Sequence, residues 1–541
     1  MRASGRPQGV VSKAMRRVRS RNTSPEIALR KALWARGLRY RLHGRGLPGS
    51  PDIVFSRPKL AVFIDGDYWH GRQWQTRGHA TLSAQFRGVH NRSYWVRKIR
   101  GNIKRDVDRT SALLLRGWRV LRFWESDIAA RLDECVATVT LALDGTRARA
   151  SRRRTGEKAF AEFFAGIGLV RLALERRGWR AVFSNDIDPQ KHEMYAHNFR
   201  GDPPGQYHLG DVRELRGTDV PDIALATASF PCTDLSLAGR RNGLAGEQSG
   251  TLWQFLRILD EMGRRKPPLV LLENVPGFLS SHGGRDFRNA LREMARLGYG
   301  CDAVMMDALW FVPQSRLRLF VIGVQEGVGP FSVAEQMGFY QSRTRPKELA
   351  QRILTEGDIL WRVRSLPEPP RAEHHVEEIL EEIPEDSPTW WSAERVDYLL
   401  AQMSARHRAV ISEMMQSHPY HYGTVYRRMR HGRSMAELRT DGIAGCLRTP
   451  RGGSSRQILV RAGKGFCKAR YMTPREYARL QGVPESYRIN VPMNQALFGF
   501  GDAVCVPVVE WVAEHYLDPV MSELLRGVVL YAAGGVTRAR H

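Results

Sequence analysis

The spacing of apolar and polar residues divides the chain into two textures. From Thr23 to about Trp124, short apolar runs of strand type alternate with an amphipathic helix and a long basic helix. Thr23-Ser24-Pro25-Glu26 is a helix start: a hydroxyl cap, a proline in the first turn, and an acid beside the positive end of the dipole. The helix EIALRKALWARG follows and stops at Gly37. LPGSPDIVF is a turn feeding a strand, with Asp52 at its start. Leu60 to Ile64 is a second strand, followed by Asp65, Asp67 and His70. YWVRKIRGNIKRDVDRTSALLLRG reads as a helix with a basic and an apolar face, and WRVLRFWESDI as a third strand.

From Ala159 the pattern becomes strand, helix, strand, helix. AFAEFFAGIGLVRLALERRG is a strand, a glycine turn and a helix. WRAVFSNDIDPQKHEMYAHNF is the next strand and helix, with Asp186 at the strand's end. HLGDV, DIALATASF and PPLVLLENVPGF add strands, and Asp211 and Glu273 stand at or near their ends. Such alternation predicts a mostly parallel sheet flanked by helices. Residues 324–469 depart from it. They hold an acidic helix, HHVEEILEEIPED, and then basic, glycine-rich loops, GTVYRRMRHGRS and CLRTPRGGSSRQILVRAGKG. Residues 140–157 are small, polar and basic, a linker; residues 521–541 form a tail.

At 541 residues the chain has room for two or three domains. Charge sharpens the division. Residues 1–155 carry 34 Lys and Arg against 11 Asp and Glu, so +23 of the net +27 lies there. That concentration favours a polyanion partner, nucleic acid before an anionic membrane, because no amphipathic anchor accompanies it. No apolar run is long enough to span a bilayer, and the basic N-terminus lacks a signal-peptide core. The six cysteines form no CxxC pair, which suits a reducing cytoplasm.

Three constellations carry chemistry. Glu26, Asp52, Asp65 and Asp67 converge from a helix and two strands, with His70 nearby. They suit a divalent cation and phosphodiester hydrolysis, or else cap turns and pair with the surplus arginines. Gly166 and Gly168 form a turn after a strand, with Asp186 about 20 residues on, the arrangement that holds the ribose of a bound nucleotide. Alone, that turn suits a nicotinamide cofactor equally well. Cys232 follows Pro231 at the mouth of a buried strand, placed either to react or to pack as a small hydrophobe.

TSPEIALRKAL, LPGSPDIVF, AVFIDGDYWHG, YWVRKIRGNIKRD and GWRVLRFWE, in this order, resemble the very short patch repair (Vsr) endonucleases over residues 12–130. The resemblance implies a restriction-endonuclease-like α/β core and Mg²⁺-dependent nicking of DNA at T:G mismatches. By position, Asp52 would be the central metal ligand, Glu26 the helix acid and His70 a catalytic histidine. Ile64-Asp65 stands where the family has Thr-His, so Asp65 is expected as a further Mg²⁺ ligand. The family's zinc ligands are replaced around Asp67, Arg72 and Ser126, and no zinc is expected.

FAGIG, SNDID, GDV, SFPCTDLSLAG, LLENVPGF, PQSRLRLFVIG, MTPREYARLQGVPESY and FGFGDAVCVPVV resemble the blocks of DNA (cytosine-5) methyltransferases. The resemblance covers residues 159–323 and 470–515 and implies S-adenosylmethionine as cofactor. Phe164 would stack on the adenine, Gly166 and Gly168 would shape the turn, Asp186 would hold the ribose, and Asp211 would meet the adenine amino group. Ile187, Val212 and Pro231, their chain neighbours, complete the expected cofactor set. Cys232 would attack C6 of cytosine, Glu273 would hold N3, and Arg316 and Arg318 would position the base and favour the thiolate. The polar loop after Cys232 would close on DNA, with Arg240 and Arg241 on phosphates. Three positions depart from the family: Leu169 replaces a glycine, Thr233 a glutamine and Asp502 an asparagine.

The expected molecule is therefore a bifunctional, bacterial-type enzyme of double-stranded DNA. Residues 1–139 form a Vsr-like nuclease and 140–157 a linker. Residues 158–323 with 470–520 form a Rossmann-like methyltransferase, and 324–469 a target-recognition domain. It is expected to be cytoplasmic, nucleoid-associated and monomeric on DNA, without membrane. The alternatives for the first domain are a restriction nuclease or a non-catalytic DNA-binding module.

Overall fold

The computed structural model describes residues 21–143, 158–231, 250–325, 342–449 and 456–522, apart from scattered single positions, together with Leu244 and Gly246. Three sheets organise these residues.

The first sheet has the order β1-β2-β3-β4, with β1 at Arg41–Leu42, β2 at Ile53–Phe55, β3 at Leu60–Asp65 and β4 at Arg119–Trp124. β1, β2 and β3 pair antiparallel, and β3 runs parallel to β4. A parallel pair needs a long crossover, and the helix Arg92–Leu115 lies between these two strands in the chain. The helix Ser24–Ala35 begins with a reciprocal capping box between Thr23 and Glu26, which satisfies two N-terminal N–H groups. Its Leu29 and Leu33 pack on Ile53, Leu60, Val62 and Leu121 of the sheet.

The second sheet has seven strands: β5 (Ala159–Phe163), β6 (Arg180–Asp186), β7 (Tyr207–Leu209), β8 (Leu225–Ala228), β9 (Leu269–Asn274), β10 (Tyr299–Asp307) and β11 (Leu317–Gln325). Their order is β10-β11-β9-β8-β5-β6-β7. The run from β9 to β7 is parallel, and β11 is antiparallel to both neighbours. From β5 the chain builds outward through β6 to β7, then returns to β8 on the other side. The crevice at the ends of β5 and β8 is thus a topological switch point, where such sheets bind ligands.

The third sheet, β13-β12-β14-β15, is antiparallel throughout: β12 is His421–Arg430, β13 Arg433–Arg439, β14 Ile458–Gly463 and β15 Phe466–Tyr471. Helices Ala393–Ala401 and Ala405–Gln416 cover one face through Val396, Leu399, Ile411 and Met414.

Several local expectations change. GTVYRRMRHGRS is a strand pair rather than a loop. The acidic stretch near residue 376 makes one helical turn, Val376–Ile379, because Val376 and Ile379 are drawn into the core of the second sheet. Residues 140–143 are the last turn of the helix Leu132–Leu143 rather than linker, and 144–157 lie outside the described residues. One apolar stretch, Met493–Ser522, is long and apolar enough to cross a membrane, contrary to expectation. Most of it is buried, and Leu497, Phe500, Val509 and Leu517 pack in the core of the second sheet.

The first and second sheets share a strap. Leu360 is buried in the core of the first, while its neighbour Trp361 packs in that of the second and bridges to Cys301 of β10.

Candidate active sites

At the switch point, Phe164, Gly166 and Gly168 all take positive φ, 57°, 55° and 80°. Gly168 cannot carry a side chain, since a Cβ there would lie 2.4 Å from the Phe199 ring. Beside Gly166 there is open space. The Asp186 carboxylate at the end of β6 accepts the Gly166 N–H at 2.8 Å and the Asp188 N–H at 2.9 Å, which fixes the turn against the neighbouring strand. Ile187 is 62% exposed beside it. Asp211, two residues beyond β7, accepts the Arg213 N–H at 2.9 Å. Val212 is buried in the core, and Pro231 follows β8. A turn with open backbone, an acid and an exposed apolar side chain fit a nucleoside: ring stacking, hydroxyl acceptance and close backbone approach.

Across the crevice, the buried strand β9 ends in Glu273 and Asn274. The Glu273 carboxylate meets Arg318 Nε of β11 at 3.1 Å. Asn274 donates from Nδ2 to the Phe230 carbonyl at 2.9 Å. Phe230 stands two residues before Cys232, so Asn274 anchors the entry to that cysteine. Cys232, Thr233 and the loop carrying Arg240 and Arg241 lie outside the described residues.

Arg316 has a different setting from Arg318. Its guanidinium donates to the carbonyls of Leu447 at 2.9 Å, Gly501 at 3.2 Å and Ala503 at 2.6 Å. Gln314, fully buried, donates to the Leu480 carbonyl at 2.7 Å and accepts the Leu447 N–H at 3.0 Å. Together they join β11 to three segments far along the chain and build the wall of the crevice. Arg316 thus holds that wall through backbone carbonyls. A Cβ on Gly501 would come within 2.6 Å of the Arg448 backbone, so the wall closes only with glycine there. Asp502 acquires a reason: it pairs with Lys191 Nζ at 2.7 Å. Burial pushes the Cys467 thiol up to about 11. Burial would do the same to Cys446, but the charges of Arg316 and Arg318 outweigh it and lower that thiol.

In the first domain, ligand atoms of Glu26, His43 and Asp52 lie within 4.8 Å of one another. Glu26 is held by the capping box and ion-paired with Arg30. Asp52 Oδ2 accepts the Ile64 N–H at 2.8 Å. Burial pushes the Asp52 carboxyl up, and the Asp65 charge adds to it, against the Ile64 N–H and the charges of His43 and Arg30. Two carboxylates and an imidazole fit a divalent cation.

Asp65 lies outside this group. Its two oxygens accept Nε and Nη2 of Arg122, both at 2.7 Å, in a buried bidentate pair. Arg122 also meets Asp106 at 3.1 Å, and His70 Nδ1 lies 2.5 Å from the other Asp106 oxygen. Burial works against the His70 cation, but the bond to Asp106 and the charges of Asp65 and Asp106 outweigh it and raise its pKa above 6.5. Where the family's zinc ligands would be, Arg72 grips Asp127 at 2.6 and 3.0 Å, and Ser126 donates to Asp67 at 2.8 Å.

The sequence profile of the C-5 cytosine-specific DNA methylases matches residues 159–517, more than half of the chain. The chain belongs to that family. Ahead of that region, residues 8–76 match the profile of the DNA mismatch endonuclease Vsr. The Type II nicking enzyme V.NmeDIP of Neisseria meningitidis serogroup C is 43% identical over 131 residues, 24% of this chain and 84% of that protein. The Type II methyltransferase M.DsaV of Dactylococcopsis salina is 28% identical over 361 residues, 66% of this chain and 86% of that protein. M.HhaI of Haemophilus parahaemolyticus is 27% identical over 360 residues, 65% and 92% of the two chains. The chain is thus a cytosine-5 DNA methyltransferase that carries a Vsr-like nicking domain.

Proposed function

We propose that the methylase transfers a methyl group from S-adenosylmethionine to C5 of cytosine inside a specific duplex sequence, and that its first domain nicks T:G mismatches in a Mg²⁺-dependent reaction. The pair Glu273–Arg318, 3.1 Å apart beside the anchored entry to Cys232, carries the first half.

C5 of cytosine is a poor nucleophile. Attack of the Cys232 thiolate at C6 makes C5 enamine-like, and Glu273 holds N3 as charge develops there. Arg318 fixes the Glu273 carboxylate, Asn274 fixes the approach of Cys232, and the wall held by Arg316 and Gln314 excludes water. The cofactor, held by Phe164, Asp186, Ile187 and Asp211, supplies the methyl group. Loss of the C5 proton then expels the thiol. Because C6 is stacked inside a duplex, the cytosine must be flipped into the crevice. A duplex with 5-fluorocytosine at the target cannot lose a proton at C5, so it traps the chain as a covalent adduct. The adduct forms with the wild type and not with Cys232→Ser.

In the first domain, a divalent cation held by Glu26 and Asp52 would polarise the phosphodiester, and the His70 imidazolium stands to protonate the leaving oxygen. Deamination of 5-methylcytosine gives a T:G mismatch within the methylase's own site. Tethering the nicking domain raises its local concentration there. The restriction alternative rests on the Asp65 replacement and the missing zinc ligands, and the pairing of Asp65 with Arg122 makes it the second reading. Nicking of T:G duplexes with matched duplexes left intact supports the repair reading; equal cutting of unmethylated matched DNA refutes it. We further infer a cytoplasmic enzyme that acts as a monomer on DNA, with no structural zinc.

A further inference from the structure

The metal group in the first domain includes a residue that neither the strand ends nor the acid spacing suggest. His43 follows β1 and pairs back to the Asp52 carbonyl through its own N–H at 3.1 Å. That pairing continues the β1–β2 ladder by one step beyond Leu42 and Ile53. It brings the imidazole beside the Asp52 side chain and across from Glu26 on the capped helix, all three with ligand atoms within 4.8 Å. His43 takes φ of 47°, a left-handed conformation that few side chains adopt without something to hold them there.

Two further observations point at a cation. Glu26 Oε1 is buried and accepts no hydrogen bond among the described residues. It is left with the Arg30 guanidinium as an ion pair. Arg30 Nη2 also lies 3.4 Å from His43 Nε2. A guanidinium is always protonated and can only donate, so at that contact His43 Nε2 presents its lone pair. This is the state of imidazole that binds metal. The cluster therefore holds a positive charge next to two carboxylates and a ring nitrogen in its ligating form.

We propose that His43 is the nitrogen ligand of the catalytic metal, completing a Glu26–His43–Asp52 site. The inference rests on the nuclease reading of this domain. It also predicts the metal's character. Imidazole suits the later divalent ions, and carboxylates suit Mg²⁺ and Mn²⁺, so one nitrogen with two carboxylates prefers Mn²⁺ to Mg²⁺. The stored pairing with Arg30 is exchanged for the metal on binding.

The test uses the full chain with Mn²⁺ as the probe. Pulsed electron paramagnetic resonance reads nitrogen directly bonded to Mn²⁺, and calorimetry reads affinity. The wild type is expected to show one imidazole nitrogen coupling and to bind Mn²⁺ about tenfold or more tightly than Mg²⁺. His43→Gln loses the coupling and most of the preference. His70→Gln keeps both, because His70 lies in the Asp106 network. A calorimetric melt of each variant, read at the first domain's transition, reports folding of that domain. If His43→Gln fails to fold, His43→Asn replaces it, and the wild type compared with His70→Gln still shows whether His70 supplies the nitrogen. Mn²⁺ bound without nitrogen coupling, or with a coupling that His70→Gln removes, overturns the assignment while leaving a nuclease that binds metal through carboxylates alone or through His70. Absence of both Mn²⁺ binding and nicking overturns the assignment and the nuclease reading together.

Discussion

Arg318 Nε stands 3.1 Å from the Glu273 carboxylate, a contact between β11 and the end of β9. The two strands are antiparallel neighbours, paired Leu319 to Asn274. The register sets Phe320 opposite Glu273, so Arg318 lies on the same face one diagonal step away, within reach of the carboxylate. The pair fixes one rotamer of Glu273 before any base arrives.

Glu273→Gln keeps the shape but cannot supply the same charge or proton. Methyl transfer to duplex DNA should fall about 10²- to 10⁴-fold in kcat, the range for losing one acid–base group. The melting temperature should move little. A tritium-transfer assay beside a thermal melt checks both.

Asn274 acts through Phe230. Asn274→Ala leaves a buried carbonyl without its donor, at a cost of about 1–3 kcal/mol. Methyl transfer should fall while cofactor affinity, measured by calorimetry, stays near the wild type. Equal losses in both would mean that Asn274 serves the cofactor side instead.

His70 gives the nicking domain a pH signature. Its pKa in the fold lies above 6.5, because Asp106 and Asp65 outweigh burial. A raised pKa means that the folded protein binds the proton more tightly than the unfolded chain. The stabilisation is full below pH 6.5 and is lost as pH rises through the folded value. The wild type should lose melting temperature over that window relative to His70→Gln. Nicking should decline over the same window as the imidazolium is lost.

Leu360 ties the two domains. It is 2% exposed in the first domain's core, beside Trp361 in that of the second. Leu360→Ala should cost about 2–5 kcal/mol. Calorimetric melting should show the nicking domain unfolding earlier, with methyl transfer retained below that transition.

Much of this was readable in the chain. The alternating apolar runs mark β5 to β9, and the glycine turn with Asp186 marks the switch-point end of the crevice. Glu273 and Arg318 were visible as strand-end residues. His43 was not, because nothing in its neighbourhood marks it. Only the pairing of His43 with Asp52 across the intervening turn brings them together, and a register reading of RLHGRGLPGSPD would have found it. The pairing of Asp65 is hidden in the sequence for the complementary reason. Its partner Arg122 is 57 residues away and reaches it through the β3–β4 pairing. The place of Arg316 in Gln-x-Arg-x-Arg does not show which backbone it holds. Its carbonyl partners at 447, 501 and 503 belong to segments brought in by tertiary packing.

The central claim is that this chain methylates cytosine at C5 through Cys232. Bisulfite sequencing of DNA from cells expressing the full chain tests it most directly. The account predicts protected cytosines at one recurring sequence with the wild type and none with Cys232→Ser. No protected cytosines with either, or the same protection with both, would contradict it.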